Sequence, residues 1–198
     1  MENKNKKAKL LILISGGGSN MDAVICACAA GQLNAEVAAV VSSNHTAGGL
    51  EKAKKHNIPT YVCAKSDFET EAKRDKKIAE IAACLAVDYI VLAGYLGIVT
   101  PVLIDKYKDK IINIHPSLLP KFGGKNFFGL NVHRAVLHSG DKISGATVHF
   151  VDQNIDTGKI ILQATVDVLP ADTPDDLQKR VLSIEHSLLI SALKTLVE

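Results

Sequence analysis

Short apolar runs alternate along the chain with longer stretches whose apolar residues recur at helical spacing, and this alternation limits the fold more than any single motif. Repeated strand-helix units lay their strands parallel and cover both faces of the sheet. The apolar runs read as strands over residues 9–14, 37–42, 60–63, 89–93, 111–114, 146–151 and 160–168. Helices are expected over 20–30, 47–56, 69–86, 101–107 and 131–139. No helical stretch separates the last two strands, and they alternate apolar with polar residues, so an antiparallel hairpin is expected at one edge. The chain closes on a helix with a marked start: Thr173 as N-cap, Pro174 at the first position and Asp176 completing a capping box. Leu177, Val181, Leu188, Leu189, Ala192, Leu193 and Leu196 then form one apolar stripe. The expected fold class is α/β: one domain over 9–198, a mostly parallel twisted sheet of about seven strands flanked by helices, preceded by a flexible basic tail over 1–8.

Size and charge set outer limits on function. A chain of 198 residues can bury a core of its own. Lys and Arg number 23 against 21 Asp and Glu, a net charge of +2 with much of the excess in MENKNKKAK, and there is no tryptophan. Nucleic-acid binding is therefore not expected. The run LLILI is only a strand long and leads into SGGGSN, so neither a membrane span nor an export signal is read, and a cytoplasmic location is expected. The cysteines Cys26, Cys28, Cys63 and Cys84 fall in apolar stretches, as reduced buried thiols would. Cys26 and Cys28 point to different faces of a helix, and no metal site is expected from them.

Four stretches carry chemistry. Ser15-Gly16-Gly17-Gly18-Ser19-Asn20 lies between a strand and a helix, where free amides and the helix dipole suit a phosphate, most naturally a phosphomonoester. It is neither a dinucleotide fingerprint, since Met21 occupies the third glycine position, nor a Walker loop, since no Gly-Lys-Ser/Thr follows. Ala93-Gly94-Tyr95-Leu96-Gly97 ends the fourth strand near that loop, and its apolar character suits either a flat ring ligand or simple packing. In Ile112-Asn113-Ile114-His115-Pro116, Asn113 and His115 share a strand face, an amide able to donate to an oxyanion beside an imidazole able to move a proton. In the loop after His149, Asp156 is able to orient His115 and raise its pKa, or to be a solvated turn residue. His45, His56, His138 and His186 read as surface or satisfied groups.

Taken together, LISGGGSN, VLAGYLGIVTP, INIHPSLLPKF, GATVHFVDQNIDTGKIILQ and RVLSIEH resemble the folate-dependent phosphoribosylglycinamide formyltransferases over nearly the whole chain. The resemblance implies transfer of formyl from 10-formyltetrahydrofolate to the amine of a phosphoribosyl glycinamide, in purine biosynthesis, without a metal or covalent intermediate. It implies Asn113, His115 and Asp156 as the catalytic group. Gly18, Ser19, Asn20 and Glu185 would bind the phosphorylated acceptor. Leu96, Gly97, Ile98 and Val99, with Asp152, Gln153, Asn154, Ile155 and Asn113, would line the folate pocket. Partners are then small molecules, with a monomer or homodimer and neither nucleic acid nor membrane. Gly97 and Glu71 stand where the family commonly has arginines, leaving the folate tail to other cations, Lys73 or Arg74 among them. The segment 122–129 is longer than usual and reads as a glycine-hinged lid.

Related formyl-transfer enzymes compete with this reading. A formyltetrahydrofolate deformylase usually has a preceding regulatory domain, and a methionyl-tRNA formyltransferase a following tRNA domain; the length here fits neither. A non-catalytic folate or nucleotide sensor would have no use for a proton relay.

Overall fold

The computed structural model describes residues 6–198; residues 1–5 of the expected basic tail lie outside the described residues. Seven strands form one sheet: β1 (Ala8–Ile14), β2 (Ala35–Ser42), β3 (Thr60–Val62), β4 (Tyr89–Leu92), β5 (Ile111–His115), β6 (Ile143–Phe150) and β7 (Ile160–Asp167). Six α-helices accompany them: α1 (Ser19–Ala29), α2 (Gly48–Lys55), α3 (Glu71–Cys84), α4 (Pro101–Lys106), α5 (Leu130–Ser139) and α6 (Pro174–Val197). The strand order is β3-β2-β1-β4-β5-β6-β7, parallel from β3 to β5 and antiparallel at β5/β6 and β6/β7. The expected class and the edge hairpin are both present. The first strand begins at Ala8, one residue inside the stretch expected as tail.

The central strand shows why the sequence takes this form. Leu10 to Ile14 are all fully buried, as a parallel strand covered on both faces requires. Leu10, Ile12 and Ile14 face Met21 and Val24 of α1, Val136 of α5 and Leu189 of α6. Leu11 and Leu13 face the other way, onto Ile78 and Ala82 of α3 and Leu103 of α4. The capping box at α6 forms as expected, Thr173 Oγ1 accepting from the Asp176 amide at 3.2 Å and the Asp176 carboxylate from the Thr173 amide at 3.1 Å.

Two expectations need correction. β6 does not alternate between core and solvent: Ser144 to His149 are buried without a break, because β6 lies inside the sheet between β5 and β7. Thr147 at its centre is fully engaged, whereas the Ser144 hydroxyl is buried without a partner. Thr147 Oγ1 donates to the Ser117 carbonyl (2.6 Å) and accepts from the Leu119 amide (3.0 Å) and Gln163 Nε2 (2.9 Å), which pins the turn after β5 against the sheet. Nor are all four cysteines buried. Cys28 and Cys63 are, and burial pushes each thiol up to about 11, but Cys26 and Cys84 are exposed on the outer faces of α1 and α3.

Leu189 is fully buried in the contact of α6 with the sheet, so Leu189→Ala is expected to lower unfolding free energy by about 2–5 kcal/mol. Thr173→Ala, which removes only the cap, should cost about 1 kcal/mol. Urea unfolding of both variants measures the two losses.

Candidate active site

The carboxyl ends of β1, β4 and β5 open into two connected spaces. The smaller, about 250 Å³, is bounded by Gly16 to Asn20, Ala93, Gly94 and Lys52 of α2. Gly18 caps α1 in a left-handed conformation (φ 67°), and no side chain caps the first turn, so its amides face the space. A Cβ at Gly18 would sit 3.0 Å from Gly49 Cα, so the turn also depends on glycine for its close approach to α2. Helix amides and a lysine suit an anion of phosphate size.

The larger space, about 690 Å³, is lined by Leu96 to Val99, Asn113, His115, Gly124 to Gly129, His133, His149, Asp152 to Asp156 and Glu185. Asn20 borders both spaces, and its Nδ2 donates to Glu185 Oε2 at 2.6 Å. Burial raises the Glu185 pKa, with the Asn20 bond opposing the rise. Asn20 Oδ1 is buried with no partner, which leaves an acceptor at the junction of the two spaces. Ser15 Oγ couples the two walls, standing 2.6 Å from Ser43 Oγ and accepting from the Leu96 amide at 2.8 Å.

The expected catalytic residues meet. His115 Nδ1 lies 3.5 Å from Asp156 Oδ2, and Asn113 Nδ2 lies 3.5 Å from Asp156 Oδ1 and 3.1 Å from His149 Nε2. Carbonyl oxygens only accept, so two tautomers follow. His115 Nε2 lies 2.8 Å from the Phe122 carbonyl and carries its proton there, leaving Nδ1 as the basic atom beside Asp156. His149 Nδ1 donates to the Phe150 carbonyl at 2.8 Å, so its Nε2 accepts from Asn113. The Asp156 charge raises the His115 pKa as expected, but burial outweighs it and the net shift is downward. Burial pushes the Asp156 carboxyl up, but His149, His115 and the Gly124 amide outweigh it and hold it below the ordinary carboxylate value.

The cavity wall formed by Leu96 to Val99 is held from behind. Arg74 and Asp75 are buried together; Arg74 Nη2 donates to Asp75 Oδ1 at 2.8 Å and to the Ile98 carbonyl at 2.5 Å. Asp75 Oδ2 accepts from the Thr100 amide at 2.6 Å. Arg74 is thus committed to positioning Leu96 to Thr100, and Lys73 pairs with Glu69. Neither is the free cation that the resemblance called for. A Cβ at Gly97 would lie 2.7 Å from the Tyr95 ring, so the side chain missing there is excluded by Tyr95 as placed.

Some participants escaped the sequence reading. Lys52 gives no signal in an ordinary amphipathic helix. His149 faces Asn113 across the β5/β6 register, a pairing that spacing alone does not disclose. His133, in VHRAV, has apolar neighbours that match its burial, and it lines the cavity with Nδ1 unpartnered. Among the histidines read as surface or satisfied groups, His45 and His56 pair with Asp67 and Asp22, while His186 Nε2 is buried without a partner.

Residues 8–193 match the formyl transferase family. The chain belongs to that family. The chloroplastic phosphoribosylglycinamide formyltransferase of Arabidopsis thaliana is 39% identical over 98% of this chain, which spans 66% of that protein's length. The Haemophilus influenzae phosphoribosylglycinamide formyltransferase is 39% identical over 96% of this chain and 87% of its own. The crystal structure of the Brucella melitensis phosphoribosylglycinamide formyltransferase superposes with a TM-score of 0.89 at 42% identity, covering 97% of this chain and 96% of the other. Among the described residues of this formyl transferase, no helix is long and apolar enough to cross a membrane.

Burial, and then His115, lower the His133 pKa from 6.5 to about 4. The unfolded chain takes up this proton first, so the contribution of His133 to stability is complete above about pH 6.5 and falls away as the pH drops towards 4. The expected slope is about 1.4 kcal/mol per pH unit in that window. Urea unfolding at several pH values should show it, and His133→Gln should flatten it.

Proposed function

We propose that this formyl transferase moves the formyl group of 10-formyltetrahydrofolate to the amine of N1-(5-phosphoribosyl)glycinamide, giving the N-formyl product and tetrahydrofolate in purine biosynthesis. The observation that carries the reading is the placement of Asn113, His115 and Asp156 in a largely apolar cavity that shares Asn20 and Gly94 with an anion-sized pocket. Gly18, Ser19 and Asn20, with Lys52, hold the acceptor phosphate. Glu185 and Asn20 Oδ1 receive the glycinamide end. Leu96 to Val99 and Asp152 to Ile155 enclose the folate ring, and the segment 122–129 closes over it.

The chemistry follows from the atoms. The acceptor nitrogen attacks the formyl carbon, and the carbonyl oxygen gains negative charge as the new carbon-nitrogen bond forms. Asn113 Nδ2, whose contact with Asp156 is long at 3.5 Å, can turn that hydrogen to the oxygen. The attacking amine must lose a proton and the departing folate nitrogen must gain one. His115 Nδ1 takes the proton, the Asp156 carboxylate stabilises the imidazolium, and the same proton, directly or through water, goes to the leaving nitrogen. No metal takes part at this centre. The working unit is one domain over 9–198, in the cytoplasm, as a monomer or homodimer with small-molecule partners only.

Purified protein should consume 10-formyltetrahydrofolate only with the phosphorylated acceptor present; consumption with water alone would make it a deformylase, and binding without turnover a sensor. His115→Ala and Asp156→Asn should each lower kcat about 10²–10³-fold with little change in either KM. Lys52→Met should raise the acceptor KM about tenfold at unchanged kcat. Steady-state kinetics in both substrates separate these outcomes.

A further inference from the structure

Outside both cavities, α1 and α2 bring together three donors of different chemistry. Asp22 and Cys26 are one turn apart on α1 and so share a face. His56 caps the carboxyl end of α2, with its amide bonded back to the Ala53 carbonyl. His56 Nε2 stands 3.1 Å from Asp22 Oδ1, and one ligand atom from each of Asp22, Cys26 and His56 lies within 4.8 Å of the other two. The C-x-C spacing puts the two thiols on different faces, as read from the sequence: Cys28 turns into the core while Cys26 is exposed near His56.

We propose that Asp22, Cys26 and His56 form a zinc site that braces α1 against α2. One thiolate, one imidazole and one carboxylate match the borderline-soft character of Zn²⁺ and are unsuited to Mg²⁺ or Ca²⁺, which take oxygen ligands. Bonds of about 2.0–2.3 Å to a tetrahedral ion place ligand atoms about 3.3–3.8 Å apart. The Asp22–His56 pair is already near that spacing, and Cys26, on an exposed surface and within 4.8 Å of both, has to close by no more than about 1.5 Å. Binding breaks the Asp22–His56 hydrogen bond and releases the Cys26 thiol proton to solvent. The open face leaves the fourth position to water.

The location gives the site a consequence. α1 begins at the phosphate-binding turn, and α2 carries Lys52 one turn before His56. An ion joining the far parts of these helices fixes the separation of the two walls that close on the acceptor phosphate. None of the three ligands borders either cavity, so the brace is separate from the reacting centre and does not depend on the proposed reaction.

Cobalt(II) is the direct probe. The full chain, stripped with EDTA and kept reduced, should bind one equivalent of Co²⁺ with a near-ultraviolet thiolate charge-transfer band and visible bands of tetrahedral strength, and Zn²⁺ should abolish both. Cys26→Ser should remove the charge-transfer band, His56→Ala should weaken Co²⁺ binding at least about tenfold, and Cys84→Ser, which alters the other exposed thiol, should change nothing. Zn²⁺ should raise the melting temperature of the unmodified chain but not of Cys26→Ser. The proposal is overturned by absence of the band, by a band that survives Cys26→Ser, or by equal Zn²⁺ affinity in the unmodified chain and both ligand variants. Formyl transfer is not needed for any of these readings.

Discussion

The Asp156 carboxylate joins the loop segments of the site to the sheet. One oxygen faces His115 Nδ1 at the end of β5 and accepts the Gly124 amide from the 122–129 segment at 2.9 Å; the other faces His149 of β6 and Asn113. Three separate stretches of chain are therefore held by one charge. The residue adopts a positive φ of 58°, a conformation that Asp tolerates better than most side chains. A carboxylate in such a place would ordinarily be expensive to bury. The Gly124 amide and Asn113 Nδ2 donate to it and offset that cost, and the imidazolium formed when His115 takes a proton favours its ionised form.

Sheet order explains why these parts meet at one end. β1 lies between β2 and β4, so the connections leaving β1 and β4 depart to opposite faces and leave a crevice beyond the strands' carboxyl ends. The glycine turn at Gly16 to Gly18 follows β1, the wall formed by Leu96 to Val99 follows β4, and Asn113 and His115 lie in β5. The antiparallel β6 then brings His149 opposite Asn113, which a further parallel strand in this position would not do with the same connection. The change of strand direction thus serves the chemistry as well as closing the sheet.

Much of this was legible because it is periodic or local. The doubly covered β1, the capping box at Thr173 and the Gly18 turn each express a short-range rule, and all three formed as read. The Asn113–His115 pair was readable from strand alternation. The encounter of His115 with Asp156 is a contact between residues 41 apart, and no spacing rule reaches it; the motif resemblance supplied the pairing. His149 and His133 were missed for a different reason. A histidine in an apolar strand or helix looks the same in sequence whether it packs silently or borders a cavity, and only the assembled walls separate the two. The lowered His115 pKa was misjudged because a neighbouring charge can be guessed from a motif, whereas the extent of burial cannot.

The wall after β4 shows how a residue without a side chain is accommodated by its surroundings. Tyr95 stands with its ring against Gly97 and its hydroxyl buried without a partner, and Arg74 lies 5.8 Å from the ring centroid. Arg74 and Asp75 then tie the backbone at Ile98 and Thr100. A large side chain at 97 would displace Tyr95, and Tyr95 is packed against the very guanidinium that holds the wall. The absence of a side chain at 97 and the burial of Arg74 are therefore one feature. The wall is fixed by a buried ion pair beneath it, leaving its outer surface, with Leu96 and Ile98 more than half exposed, apolar and uncharged towards the cavity.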